Sequence, residues 1–127
     1  MKNAAGTRLL DRFGIALSGL CLVHCLALPV ALALLPVLSA SALGRVAEAE
    51  WLHAVLLVPV VLVSGWVLGR RAIAVRWLGP ILLLAFGAMG GALLVGEEWQ
   101  EQALTIGGAS LLILAHAVNL RARALEA

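Results

Sequence analysis

Charge is scarce in this sequence: 13% of its residues are Asp, Glu, Lys or Arg, against about a quarter in an ordinary soluble domain. That shortage excludes a water-facing globule, which would need a far more polar surface. The nine basic residues form no contiguous patch, which excludes nucleic acid as a partner. No glycine-rich phosphate-binding loop is present and no stretch is suited to a soluble domain, so this chain cannot power transport with a nucleotide. Internal repetition is also lacking, unlike the large secondary carriers built from inverted repeats. Cysteine is limited to two residues and histidine to three, so each has to be explained where it stands.

What is abundant is apolar sequence, with 63% hydrophobic residues and a mean hydropathy of +1.06. Four apolar stretches, Phe13 to Leu38, Trp51 to Gly69, Trp77 to Val95 and Ala103 to Asn119, each approach the ~20 residues that a bilayer crossing requires. Their connections are short, so neighbouring helices should be antiparallel. The expected architecture is an all-α integral membrane four-helix bundle, a single domain over residues 1–127, with the lipid bilayer as its first partner. A cleaved signal peptide is the alternative for the first stretch, given the small residues at Ser39-Ala40-Ser41-Ala42. Its apolar run is much longer than the 7 to 15 residues or so of such signals, and it carries His24 and two prolines.

Basic residues set the expected orientation. Lys2, Arg8 and Arg12 precede the first stretch, Arg70, Arg71 and Arg76 separate the second and third, and Arg121 and Arg123 follow the fourth. The other two connections hold Arg45 alone and collect Glu48, Glu50, Glu97, Glu98 and Glu101. Eight of the nine basic residues thus fall on one side, and the positive-inside rule makes both termini cytoplasmic. Trp51 and Trp99 would mark the outer interface and Trp77 the inner one.

Chemistry concentrates in Cys21-Leu22-Val23-His24-Cys25. At helical spacing Gly14, Ser18, Cys21 and Cys25 share a narrow arc, and such a stripe belongs against other helices because lipid offers it nothing. These residues should lie roughly 12 to 18 Å from the cytoplasmic entry of the helix, near mid-bilayer. Cys21 and Cys25, one turn apart, can direct two sulfurs at one ion, whereas a disulfide between them would strain the helix. Such a site favours Hg(II), Cu(I) or Zn(II) over Mg(II) or Ca(II). His24 is a third ligand or a local proton acceptor. Pro29 leaves the Cys25 carbonyl without its helical donor. His53, Glu97 and Glu98, with Glu50 nearby, would form an outer vestibule that collects cations, or simply a solvated acidic rim. His116 and Asn119 are either ligands of an exit site or hydrogen-bonded links between helices. Gly87 and Gly91 are expected to let two helix backbones approach closely.

The run Asp11-Arg12-Phe13-Gly14-Ile15-Ala16-Leu17-Ser18-Gly19-Leu20-Cys21-Leu22-Val23-His24-Cys25-Leu26-Ala27-Leu28-Pro29 resembles the start of a MerC-domain protein, the family named for small mercury-uptake proteins. The resemblance extends along nearly the whole chain, through a histidine at the head of the second stretch and an acidic turn before the fourth to Ala115-His116-Ala117-Val118-Asn119-Leu120. It implies that Cys21 and Cys25 take mercuric ion from the periplasmic side of a bacterial inner membrane and pass it inward. Two features differ from the mercury-resistance members: the pair is Cys-x-x-x-Cys with His24 inside it, and the tail to Ala127 has no cysteine for delivery to a cytosolic acceptor. The added histidine shifts the expected ion toward borderline metals such as zinc.

The expected function is therefore binding and transport of a thiophilic metal ion through Cys21, His24 and Cys25, with His53, Glu97 and Glu98 outside and His116 toward the cytoplasm. No catalytic residue and no permanently bound cofactor is assigned. A cytosolic or periplasmic metal acceptor and a homo-oligomer stay open as partners. The alternatives are a metal-binding or sensing protein without flux, a b-type haem protein using His24 and His116, and a structural subunit joined through Gly87 and Gly91.

Overall fold

The computed structural model describes residues 4–126; Lys2 lies outside them. Every regular element among the described residues is helical: α1 (Ala4–Leu34), α2 (Pro36–Ala40), α3 (Ala42–Ala47), α4 (Glu50–Ala72), α5 (Leu78–Ala92) and α6 (Glu98–Leu125). Three of them, over Ala5–Leu34, Trp51–Ala72 and Glu98–Leu125, are long and apolar enough to cross a membrane. The protein is a multi-pass membrane protein.

The helix ends follow local chemistry more than hydropathy. α1 stops at Leu34, short of Leu38, because Pro36 forces the preceding Leu35 out of helical geometry, to φ −124° and ψ 76°. The chain restarts with Pro36 as the first residue of α2, where a missing N–H costs nothing. The Ser41 hydroxyl then caps α3 by accepting from the Gly44 N–H at 3.1 Å. At the other end α1 begins well before Phe13, and its polar first turns are held by α6. Arg8 donates to the Arg123 carbonyl at 3.2 Å and Arg123 to the Thr7 hydroxyl at 3.1 Å. α5 has only 15 residues, about 22 Å of helix against a hydrocarbon core of about 30 Å.

α6 packs on α1 and α5, and α4 closes the circuit by packing on both of those in turn. Leu68, Leu78, Leu82, Met89 and Leu112 fill the centre. Residues such as Leu34, Leu62 and Leu83 point outward, as expected where lipid is the solvent. Neither expected glycine marks a close backbone approach, Gly91 meeting only the tip of the Leu104 side chain at 4.0 Å. Gly87 faces open space, whereas Gly108 of α6 sits so tightly against Ala85 and Met89 of α5 that a Cβ there would collide with both. Gly87 lies on the face of α5 turned away from α6, and in-line spacing alone does not reveal which face is covered.

The helix ends also sort the two poles of the molecule. Arg71 pairs with Glu126, and Arg123 reaches Thr7 and Asp11, so the start of α1 and the ends of α4 and α6 meet at one pole. The end of α1 and the starts of α4 and α6 meet at the opposite one, beneath α2 and α3.

Candidate metal site

At the pole beneath α2 and α3, three side chains converge. α1 supplies His24 and Cys25, and the first turn of α4 supplies His53. One ligand atom from each lies within 4.8 Å of the others. The Cys25 sulfur is 3.2 Å from His53 Nε2, and the two imidazoles meet edge to face with centroids 5.5 Å apart. Ligand atoms around a tetrahedral ion sit about 3.5 Å apart, so one edge of the site is already at coordination distance. The remaining edges, at most 4.8 Å, need closure of about an ångström to reach that distance.

The atoms around the rings decide which nitrogens are free. A carbonyl only accepts, so the 3.2 Å contact from His24 Nε2 to the Ala47 carbonyl places the proton on Nε2. Nδ1 of His24 is left buried without a partner, its lone pair available to an ion. His53 is held in the same way by a carboxylate: Nδ1 donates to Glu101 Oε1 at 3.1 Å, which turns the Nε2 lone pair toward the Cys25 sulfur. An imidazole whose outer N–H is fixed by a carboxylate or a carbonyl is the usual arrangement of a metal-ligating histidine. Beside the three residues lies a cavity of about 430 Å³, bordered also by Pro29, Glu48, Glu98 and Glu101. It is large enough for a hydrated cation, and three carboxylates border it.

Of the residues singled out from sequence, His24, Cys25 and His53 come together here and Glu98 lies on the cavity wall. Cys21 is fully buried one turn along α1, its thiol in contact with that of Cys25, and both cysteines are free. Glu97 occupies the position before the first turn of α6 in extended backbone, φ −101° and ψ 121°, without a side-chain capping bond, and is exposed and absent from the cavity lining. The Glu50 side chain lies outside the described ones.

His116 is not brought to the cysteines. Both its nitrogens are engaged at the other pole, Nδ1 with Asp11 at 2.9 Å and Nε2 with Ser64 at 3.0 Å, and Asn119 bonds the same aspartate. His116 and His24 therefore belong to separate networks and make no axial pair for a haem. Two residues that sequence reasoning passed over matter here. Glu101, taken only as a topological acid, stands one turn beyond Glu98 on the same helical face. Asp11 continues the 3-4 spacing of Gly14, Ser18, Cys21 and Cys25 by one step, a signal that was legible.

No curated protein and no solved structure matches the chain closely. A family model described as MerC mercury resistance protein does match, over residues 11–121, and the chain belongs to that family.

Proposed function

We propose that the protein binds a thiophilic metal ion at Cys25, His24 and His53 and carries it across a bacterial inner membrane. The observation that carries this reading is the convergence of one thiol and two imidazoles from separate helices, with both imidazoles held in the tautomer that coordination needs. Family membership favours mercuric ion as cargo. One sulfur with two nitrogens also suits Zn(II) or Cu(I).

In this reading the long helices form a four-span bundle with cytoplasmic termini, in keeping with the eight of nine basic residues on one side. Glu98 and Glu101 draw the cation into the cavity. The Cys25 thiol gives up its proton as the sulfur–metal bond forms, and Cys21, one turn deeper, is the next sulfur on the path. The chain has no means of its own to burn a nucleotide, so an ion gradient or proton exchange drives the movement.

Anaerobic titration of Hg(II), Cu(I) and Zn(II) into purified protein tests the site. Near-stoichiometric binding of one ion, lost in Cys25→Ser and in the Cys21→Ser, Cys25→Ser double variant, is the expected result. Identical titrations of wild type and variants would reject it. Binding without flux in proteoliposomes would leave a metal-binding protein that does not transport.

A further inference from the structure

The metal site leaves unused a second set of buried titratable groups. Asp11 of α1, Ser64 of α4 and His116 of α6 are all fully buried. The Asp11 carboxylate accepts from His116 Nδ1 at 2.9 Å and from Asn119 Nδ2 at 3.0 and 2.9 Å, and Arg123 Nε stands 3.2 Å from its second oxygen. The carboxylate fixes the ring proton on Nδ1, so Nε2 turns its lone pair to the Ser64 hydroxyl 3.0 Å away. The order Asp, His, Ser is that of a hydrolytic triad. Ser64 is sealed from solvent, however, and no substrate carbonyl can reach it.

What the arrangement can do is hold a proton. A hydroxyl both donates and accepts. When Nε2 gains a proton, Ser64 rotates to accept from it, and the Nδ1 bond to Asp11 is unchanged. The ring can thus become an imidazolium, or lose that proton again, without the loss of a hydrogen bond. Charges of both signs face the ring. On α1, Asp11 attracts the positive ring, while Arg8 is turned to the Arg123 carbonyl. From α4 only the Ser64 hydroxyl faces it, Arg71 being paired with Glu126; α5 has no titratable residue; from α6, Arg123 opposes the added charge.

A route to this site is built into α1. Its buried positions among the described residues are Asp11, Gly14, Ser18, Cys21 and Cys25, a seam at 3-4 spacing, about 21 Å long, with no large hydrophobe in it. Gly14 lets the His116 ring rest directly on α1, where any Cβ would overlap it. Ser18, between that ring and Cys21, is fully buried and its hydroxyl has no partner. An orphaned hydroxyl in a sealed polar seam marks the place of a transient partner, a water or a proton in transit.

We infer that Asp11, His116 and Ser64 form a proton-holding site at the inner end of the α1 seam, whose proton moves opposite to the metal. The proton bound by the Nε2 lone pair passes along Ser18 to the metal-bearing sulfur. There an S–H bond replaces the S–metal bond and the ion leaves as a cation, with no change of oxidation state. The exchange rests on the metal reading above, whereas the proton site itself does not.

The full chain in nanodiscs, with nitrogen-labelled histidine and the His24→Gln, His53→Gln double variant, isolates the His116 ring for NMR. On acidification the ring is expected to gain its second proton reversibly with helix content unchanged. A ring that keeps a single proton until the helices unfold would make this network a helix clamp and overturn the inference. In proteoliposomes, Zn(II) uptake by wild type should drive proton counterflow. His116→Gln and the milder Ser64→Ala should lower that counterflow at least tenfold while binding Zn(II) in detergent as wild type does. Counterflow equal to wild type in both variants would also overturn it. If wild type neither binds nor carries Zn(II) but His116 still takes up its proton, the metal reading fails and the proton site stands.

Discussion

At the scale of single residues, the two histidines of the candidate metal site differ from ordinary buried histidines in how their outer nitrogens are held. Glu101 does not need to touch an ion to matter, because it fixes the His53 proton on Nδ1 and aims Nε2 at Cys25. Glu101→Gln should weaken metal binding by about 10- to 100-fold, read by competition against a chelator of known affinity. At the other pole, Gly14 is required by space. Gly14→Ala drives a methyl group into the His116 ring and should cost about 1–3 kcal/mol, seen as a lower thermal midpoint in detergent. Asp11→Ala should also destabilise, by about 1–3 kcal/mol for each group left unpaired, because it removes the acceptor of the buried His116 Nδ1–H and Asn119 amide.

At the scale of elements, the contrast between α1 and α5 explains how a small chain combines a packed core with a polar path. α5 contributes Leu78, Leu82, Ala85 and Met89 to the centre, while α1 buries a seam without a large side chain. α6 serves both, through Leu112 toward the core and His116 and Asn119 toward α1. The α5–α6 contact depends on Gly108, so Gly108→Ala should destabilise by about 1–3 kcal/mol. Gly87→Ala, in open space, should stay within about 0.5 kcal/mol of wild type. Parallel unfolding of the two variants checks the pair, and equal losses would mean that the packed faces of α5 are assigned wrongly.

At the scale of the whole molecule, the two poles carry different chemistry. One gathers Arg8, Arg71 and Arg123 with Asp11, His116 and Glu126; the other gathers His24, His53, Cys25 and the acidic first turn of α6. If the basic pole faces the cytoplasm, as the positive-inside rule requires, a fluorescent reporter fused after the last residue should be active in the cytoplasm. A cysteine placed at exposed Leu43 should react with an impermeant thiol reagent from the opposite side. The reverse pattern would invert the path proposed for the ion. The short α5 leaves a mismatch of about 8 Å with the hydrocarbon core, which the bilayer absorbs by thinning or a neighbouring chain covers.

Sequence by itself determined the helical class, the membrane setting, the family and the inward direction of Ser18, Cys21 and Cys25. The family follows from the resemblance of the run Asp11 to Pro29, and the rest from hydropathy and a period of 3.6, which act within one segment. It also named His24, Cys25 and His53 without joining them. Tertiary structure alone decided that His53 meets Cys25, that Glu101 and not Glu97 stands behind it, and that His116 serves Asp11 at the far pole. The reason is geometric: partners 28 and 105 positions apart are set by helix lengths, by the break at Pro36 and by the rotation of each helix about its axis. No single segment records those quantities.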